Sequence, residues 1–138
     1  MKMGFRVALV SDAGTPTISD PGFKLTQKCH TEGIAIEALP GPCSVTTALS
    51  ASGFPSEMFS FLGYLPKTVS EKMSLIAKGA QLGQTIVFFD SPNRLVKSLA
   101  TIADVMGPDH LIFVGMELTK LHETHYRGKV GDILEELQ

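Results

Sequence analysis

Apolar and polar residues along this chain switch repeatedly between two periods, and the switches mark a succession of strands and helices. Phe5-Arg6-Val7-Ala8-Leu9-Val10, Ile34-Ala35-Ile36-Glu37-Ala38-Leu39, Phe59-Ser60-Phe61-Leu62-Gly63-Tyr64-Leu65, Gln84-Thr85-Ile86-Val87-Phe88-Phe89 and His110-Leu111-Ile112-Phe113-Val114-Gly115 have the length and side chains of strands. Thr124-His125-Tyr126-Arg127-Gly128 alternates and predicts an edge strand. Between them, Met73, Ile76, Ala77 and Ala80, and then Leu95, Leu99, Ile102, Val105 and Met106, recur at helical spacing, each set predicting one buried face.

Turn chemistry punctuates these elements. Ser19 or Asp20 is placed to cap a helix from about Pro21 to Thr31, with Gly33 as its stop. Pro40-Gly41-Pro42 breaks the second strand, and Cys43 to Ser52, rich in small residues, predicts a closely packed helix ended by Gly53-Phe54-Pro55. Gly107-Pro108 ends a later helix, and Asp132 with Glu135 reads as a capping box for a last one carrying Ile133, Leu134 and Leu137. Strand alternating with helix predicts an α/β fold. The strongest break is Pro40-Gly41-Pro42, so the expected division is 1–40 and 41–138. The first part holds too few elements to bury a core of its own and is expected to be the latter part of a domain.

Composition narrows the classes. With 138 residues, 43% of them hydrophobic, the chain can bury a real core. No apolar run approaches the roughly 20 residues that span a bilayer, and Met1-Lys2-Met3-Gly4 lacks the layout of a signal peptide, so a cytoplasmic protein without membrane contact is expected. Cys29 and Cys43 match neither a zinc-ligand pair nor a Cys-x-x-Cys motif; they read as structural thiols, and no metal is expected. A formal charge of −2 gives no global attraction for nucleic acid. RNA contact would need a local rim, for which Arg94, Lys97, Lys120, Arg127 and Lys129 are candidates, with Lys67 and Lys72 from another loop; a solvated charged surface explains each one equally.

The candidate chemistry lies in loops that follow strands. Ser11-Asp12-Ala13-Gly14-Thr15-Pro16-Thr17-Ile18-Ser19-Asp20-Pro21-Gly22 comes directly after an apolar run, where backbone amides of an α/β protein converge on ligands; turn geometry alone also calls for these residue types. The phosphate cradles Gly-x-Gly-x-x-Gly and Gly-x-x-x-x-Gly-Lys-[Ser/Thr] and the Gly-x-Ser-x-Gly elbow are absent, and the histidines of His122-Glu123-Thr124-His125 are too close for a zinc-protease helix. The remaining strand-end loops, Pro40 to Ser44, Asp90 to Arg94 and Met116 to Glu123, would gather with the first at one end of a mostly parallel sheet.

Val7-Ala8-Leu9-Val10-Ser11-Asp12-Ala13-Gly14-Thr15-Pro16 with Ile18-Ser19-Asp20-Pro21-Gly22 closely resembles the tetrapyrrole methylase family. The likeness continues through Leu39-Pro40-Gly41-Pro42, Thr47-Ala48-Leu49-Ser50-Ala51-Ser52-Gly53, Phe61-Leu62-Gly63-Tyr64-Leu65-Pro66, Ser91-Pro92-x-Arg94-Leu95 and Glu117-Leu118-Thr119-Lys120-Leu121-His122-Glu123, and it is nearest to the branch that methylates a cytidine 2′-hydroxyl of small-subunit ribosomal RNA. The resemblance implies a class III methyltransferase fold: an N-terminal domain, truncated here to residues 1–40, and a complete C-terminal domain with a mixed sheet flanked by helices. It implies S-adenosyl-L-methionine bound between domains by Ala13, Gly14, Thr15, Pro16 and Ile18, with Ser44 and Val45 beside them and Phe89, Asp90, Gly115 and Met116 as the far wall. It also implies a homodimer acting on ribosomal RNA. The family's first strand and Pro-x-Gly-Asn loop have no counterpart, and Cys43, Asp90 and Asn93 stand where serine, glutamate and histidine are usual.

A ribose hydroxyl is a weak nucleophile at neutral pH and gains from a base, or from a cation that stabilises its alkoxide. Lys120 and Glu117 are the candidates for these roles; alternatively, both sit in a surface ion-pair network near Arg94 and His122. Two other readings stand beside the RNA enzyme: a methylase acting on a porphyrin or corrin precursor, and a non-catalytic short form that keeps the fold.

Overall fold

The computed structural model describes residues 3–138; Met1 and Lys2, at the head of the first expected part, lie outside the described residues. The chain divides into two compact units, Met1–Ser44 and Val45–Gln138.

In the first unit the regular element is α1 (Phe23–Thr31). Neither Ser19 nor Asp20 caps it; Gly22, at φ 128°, takes the cap position without a side-chain hydrogen bond. Packing explains the glycine, because a Cβ there would lie 2.7 Å from Leu9 Cδ2 and 3.0 Å from Thr17 Cγ2. At the other end Gly33 is the stop the sequence predicts. Its amide donates to His30 O at 3.2 Å and that of Ile34 to Cys29 O at 2.9 Å, a Schellman ending that needs the left-handed φ of 64° at Gly33. The expected strands Phe5–Val10 and Ile34–Leu39 do not form. A strand exists through ladder hydrogen bonds to a neighbour, and among the described residues neither segment has one. Their apolar alternation supplies propensity without a partner, and Phe5, Val7, Val10, Ile36 and Leu39 remain exposed.

The second unit contains most of α2 (Ser44–Ser52), then β1 (Phe59–Tyr64), α3 (Val69–Ala80), β2 (Thr85–Phe89), a 3-10 turn Pro92–Arg94, α4 (Leu95–Met106), β3 (Leu111–Met116), β4 (Thr124–Lys129) and α5 (Val130–Glu136). The strands are where their periodicity predicts. Strands β1 and β2 run parallel, with Phe61 opposite Val87 and a register shift that brings Tyr64 beside Phe89. Strands β3 and β4 run antiparallel from Leu111 opposite Lys129 to Met116 opposite Thr124. Among the described residues these are separate two-stranded sheets and not the single mixed sheet expected. Side chains join them instead: Leu65, Ile76, Leu99, Ile102, Val130 and Ile133 form one buried cluster, against which Phe88 of β2, Ile112 and Val114 of β3 and Tyr126 of β4 all pack.

The helices meet this core as their spacing allows. In α4, Leu99 and Ile102 are buried, with Leu95, Val105 and Met106 against the cluster, as the spacing predicts. In α3 the buried residues are Lys72, Ile76 and Gly79, and Met73 is turned outward. The expected face was set by counting apolar residues, whereas a lysine with a buried acceptor can take an inward position. Gly79 is small because a Cβ would lie 3.1 Å from both Ile86 Cδ1 and Leu62 Cδ1. Thr68 caps α3, accepting from the Glu71 amide at 3.4 Å while its hydroxyl donates to the Glu71 carboxylate at 2.5 Å. The capping box expected at Asp132 does not form, because α5 already begins at Val130. Its first free amides find the preceding turn, Val130 N donating to His110 O at 2.9 Å and Gly131 N to Pro108 O at 3.0 Å. Among the described residues no helix is long and apolar enough to cross a membrane.

Candidate functional site

In the first unit the loop after Val10 is folded by its own polar groups. Ser11 Oγ lies 2.8 Å from Gly14 O and 3.2 Å from Ala13 O, and Gly14 takes φ 80°. Thr15 Oγ1 donates to Pro42 O at 3.0 Å, and a Cβ on Gly41 would lie 3.0 Å from the same hydroxyl. The expected segments Ala13–Pro16 and Pro40–Ser44 are thus brought together, at a spacing only Gly41 allows. Further on, Thr17 and Ser19 hold φ of 73° and 53°. Such backbone costs roughly 1–3 kcal/mol per residue, more readily met at binding loops than elsewhere. Ile18, between them, is exposed.

In the second unit β2 ends on Phe89 and Asp90. The Phe89 ring meets those of Phe61 and Tyr64 edge-on, with centroids 4.8 and 5.3 Å away. Asp90 is a hub. Its Oδ1 accepts from Ser91 N at 2.7 Å and is paired with Arg94 Nη2, and its Oδ2 accepts from Ser98 Oγ. Ser98 Oγ in turn accepts from Lys72 Nζ at 2.8 Å, and Arg94 Nη1 donates to Pro66 O at 3.4 Å. The 3-10 turn and α4 thus meet this carboxylate directly, and Arg94 and Ser98 extend the network to the end of the β1 segment and to α3.

After β3 the chain turns through Glu117 and Thr119, both at positive φ, of 50° and 65°. Glu117 Oε2 and Lys120 Nζ are 3.0 Å apart on the exposed side of this turn. Glu123 braces it from below, one carboxylate oxygen accepting from Thr119 N and the other lying 2.8 Å from His125 Nε2, whose ring stands 5.1 Å from Phe113. Leu118 folds back over Gly115, where a Cβ would come within 2.9 Å of Leu118 Cδ2.

The family profile of tetrapyrrole (corrin/porphyrin) methylases matches residues 2–134. The chain belongs to that family. Among curated proteins it is 41% identical over 138 residues to the ribosomal RNA small subunit methyltransferase I of Thermotoga maritima, a match covering 100% of this chain and 61% of that one. It is 46% identical over 121 residues to the protein of that name in Vibrio cholerae, covering 88% of this chain and 42% of the relative, and 45% identical over 132 residues to that of Hydrogenobaculum, covering 96% and 56%. The chain thus spans about half the length of these relatives.

In this chain several sequence expectations need correction. Ser44 is exposed at the first turn of α2, but Val45 is buried. The basic rim does not stand as a set of free cations: Arg94 is committed to Asp90, Lys120 to Glu117 and Lys129 to Asp109 at 2.8 Å, while Arg127 donates to Ser52 O at 2.7 Å and lies over the Phe54 ring. Lys72 cannot meet RNA, since it is only 3% exposed. Glu117 and Lys120 pair with each other, and the expected link to Arg94 is absent because Asp90 claims that guanidinium. The Lys129 ammonium, by hydrogen bond and then by charge, holds the Asp109 carboxyl below its usual range, and Asp109 raises Lys129 in return. Open surface depressions lie along Pro66, Ser70, Glu71, Ser74, Leu75 and Lys78 in the second unit and at Asp20 to Leu25 in the first; neither includes an expected cofactor residue.

Sequence reasoning missed Ser98; it placed Lys72 on an RNA-facing loop and took Glu123 and His125 only as parts of a loop and of a motif too short for a zinc-protease helix. Ser98 carried a readable signal, for it lies two helical turns after Asp90 and on the same face as Leu95 and Ile102. Lys72 carried none beyond its place one turn before Ile76.

Proposed function

We propose that this chain carries an S-adenosylmethionine-dependent methyltransferase activity directed at a cytidine ribose 2′-hydroxyl of small-subunit ribosomal RNA. The observation that carries the reading is the likeness to ribosomal RNA small subunit methyltransferase I of Thermotoga maritima, which extends over every residue of this chain. We assign the first unit to the N-terminal methylase domain and the second to the C-terminal one, near the break at Pro40-Gly41-Pro42.

The residues present fit such a cofactor. Gly14, at φ 80° with a Cβ position 3.4 Å from Pro42 O, leaves bare backbone in a loop that Thr15 holds still. Ala13, Gly14, Thr15, Pro16, Ile18 and Ser44 of the first unit are proposed cofactor contacts, as is the backbone of Val45, the first residue of the second. Phe89, Asp90, Gly115 and Met116 are those from the second, where Phe89 offers an aromatic edge and Asp90, with its oxygens engaged, acts by fixing the backbone. When bound, the cofactor supplies a methyl group already activated by its sulfonium. The protein then has chiefly to align the hydroxyl for in-line displacement. We assign Glu117 as the base that takes the hydroxyl proton and Lys120, 3.0 Å from it, as the cation that steadies the alkoxide as it develops. Two copies of the chain are proposed to pair, which would cover apolar side chains such as Phe5, Val10 and Leu39. With that substrate we propose a cytoplasmic location.

Calorimetric titration of the chain with S-adenosylhomocysteine tests the reading. Saturable binding at one site per chain is the expected result; no heat change at high protein concentration would overturn it.

A further inference from the structure

Lys72 has no part in the proposed chemistry, yet it is the one lysine among the described residues that the fold buries. An ammonium out of water is costly unless it is paired and hydrogen-bonded, and an apolar residue of similar length would serve the packing as well or better. The recorded partner of Lys72 Nζ is the Ser98 hydroxyl at 2.8 Å. That contact has a direction. An ammonium can only donate, so Ser98 Oγ must accept from it, and the hydroxyl proton is left to point at Asp90 Oδ2. The chain of bonds runs from a buried cation on α3, through α4, to the carboxylate at the end of β2, with each bond polarising the next.

The consequence falls on the other carboxylate oxygen. With Oδ2 held by Ser98, the Asp90 side chain cannot rotate, and Oδ1 stays where the Ser91 amide, at 2.7 Å, and the Arg94 guanidinium meet it. Arg94 also reaches Pro66 O at the end of the β1 segment, so the same carboxylate registers two strand-end segments against each other. Ser91 immediately follows the Phe89-Asp90 pair.

We propose that Lys72 is a positioning residue that, through Ser98 and Asp90, presets the backbone at the end of β2 for cofactor binding. The binding half of this statement rests on the assignment of Phe89 and Asp90 to the cofactor; the presetting of the Ser91 amide does not.

The test uses the whole chain with Lys72→Met, which keeps the length and apolar stem of the side chain and removes the buried charge, and the double variant Lys72→Met with Ser98→Ala, which also removes the donor to Asp90 Oδ2. Hydrogen exchange at the Ser91 amide, thermal unfolding and titration with S-adenosylhomocysteine are read together. For Lys72→Met the expected results are a melting temperature at or above that of the unaltered protein, Ser91 exchange about tenfold faster, and a dissociation constant raised by at least about fivefold. The double variant is expected to exchange at least as fast as the single one. A merely structural lysine would move stability and leave the other readings alone. Unchanged Ser91 exchange in both variants overturns the proposal, as does faster exchange with unchanged affinity. Should Lys72→Met unfold, the double variant decides on the same readings. Should the unaltered chain bind no S-adenosylhomocysteine, the cofactor reading falls, and Ser91 exchange still decides whether Lys72 presets the loop.

Discussion

Two strand-end segments of the second unit carry the same sequence device, an acid followed by a base about one helical turn later, and the fold makes opposite use of it. Asp90 and Arg94 are 9% and 26% exposed, and their pair is embedded in a network that ends on a buried lysine. Glu117 and Lys120 are 55% and 65% exposed and hold each other over a turn of strained backbone. Spacing alone does not separate them. Burial does, because water screens the outer pair and leaves it weak, while the inner one cannot lose a member without stranding a charge. The inner device suits holding a backbone still; the outer one leaves its cation open to solvent, as the role proposed for Lys120 requires.

The largest effect that would test this contrast is expected at Asp90. Asp90→Ala leaves Lys72 and Arg94 facing no carboxylate and should destabilise the chain by about 3–5 kcal/mol in urea unfolding; a loss of under about 1 kcal/mol would remove the distinction between the two devices. Lys120→Ala should cost less than about 1 kcal/mol of stability and leave cofactor affinity in place, while lowering turnover about a hundredfold in an active form of the enzyme. Lost affinity with unchanged turnover would move Lys120 out of the chemistry. The smallest effect concerns Asp109 and Lys129, which pair on the surface. Asp109 should titrate below its ordinary value of 3.8, and Lys129→Met should return it there, as followed by NMR. A depressed carboxyl adds stability above its unfolded pKa and loses it as pH falls through the folded one. Lys129, raised above 10.5, adds stability that is complete below that value and fades as pH rises through the folded pKa.

The contrast also shows what the sequence can carry. Strand and helix positions in the second unit were legible because each element meets a core that rewards its periodicity, as Leu99 and Ile102 do in α4. Phe5–Val10 has equally good periodicity, yet forms no strand among the described residues, because pairing depends on a partner that local spacing cannot specify. Motifs pointed to Thr15, Asp90 and Lys120. They did not reveal that both Asp90 oxygens are engaged by its own chain or that the network extends to Lys72, since both facts come from contacts across α3 and α4 that no local pattern encodes. The start of α5 was misread for a related reason: its amides are met by Pro108 and His110 backbone, which leaves no side-chain signature.

Gly79 gives the α3 helix a narrow tolerance to mutation. It shares the inward side of that helix with Lys72, and it lets the helix settle against Ile86 and Leu62 as closely as two methyl groups permit. A Cβ there would press on both methyls, so either Ile86 and Leu62 turn aside or the helix gives by a few tenths of an ångström. In the second case the lysine two turns away moves with it, and a substitution made only to improve helix propensity reaches the end of β2 through a residue that never touches Gly79.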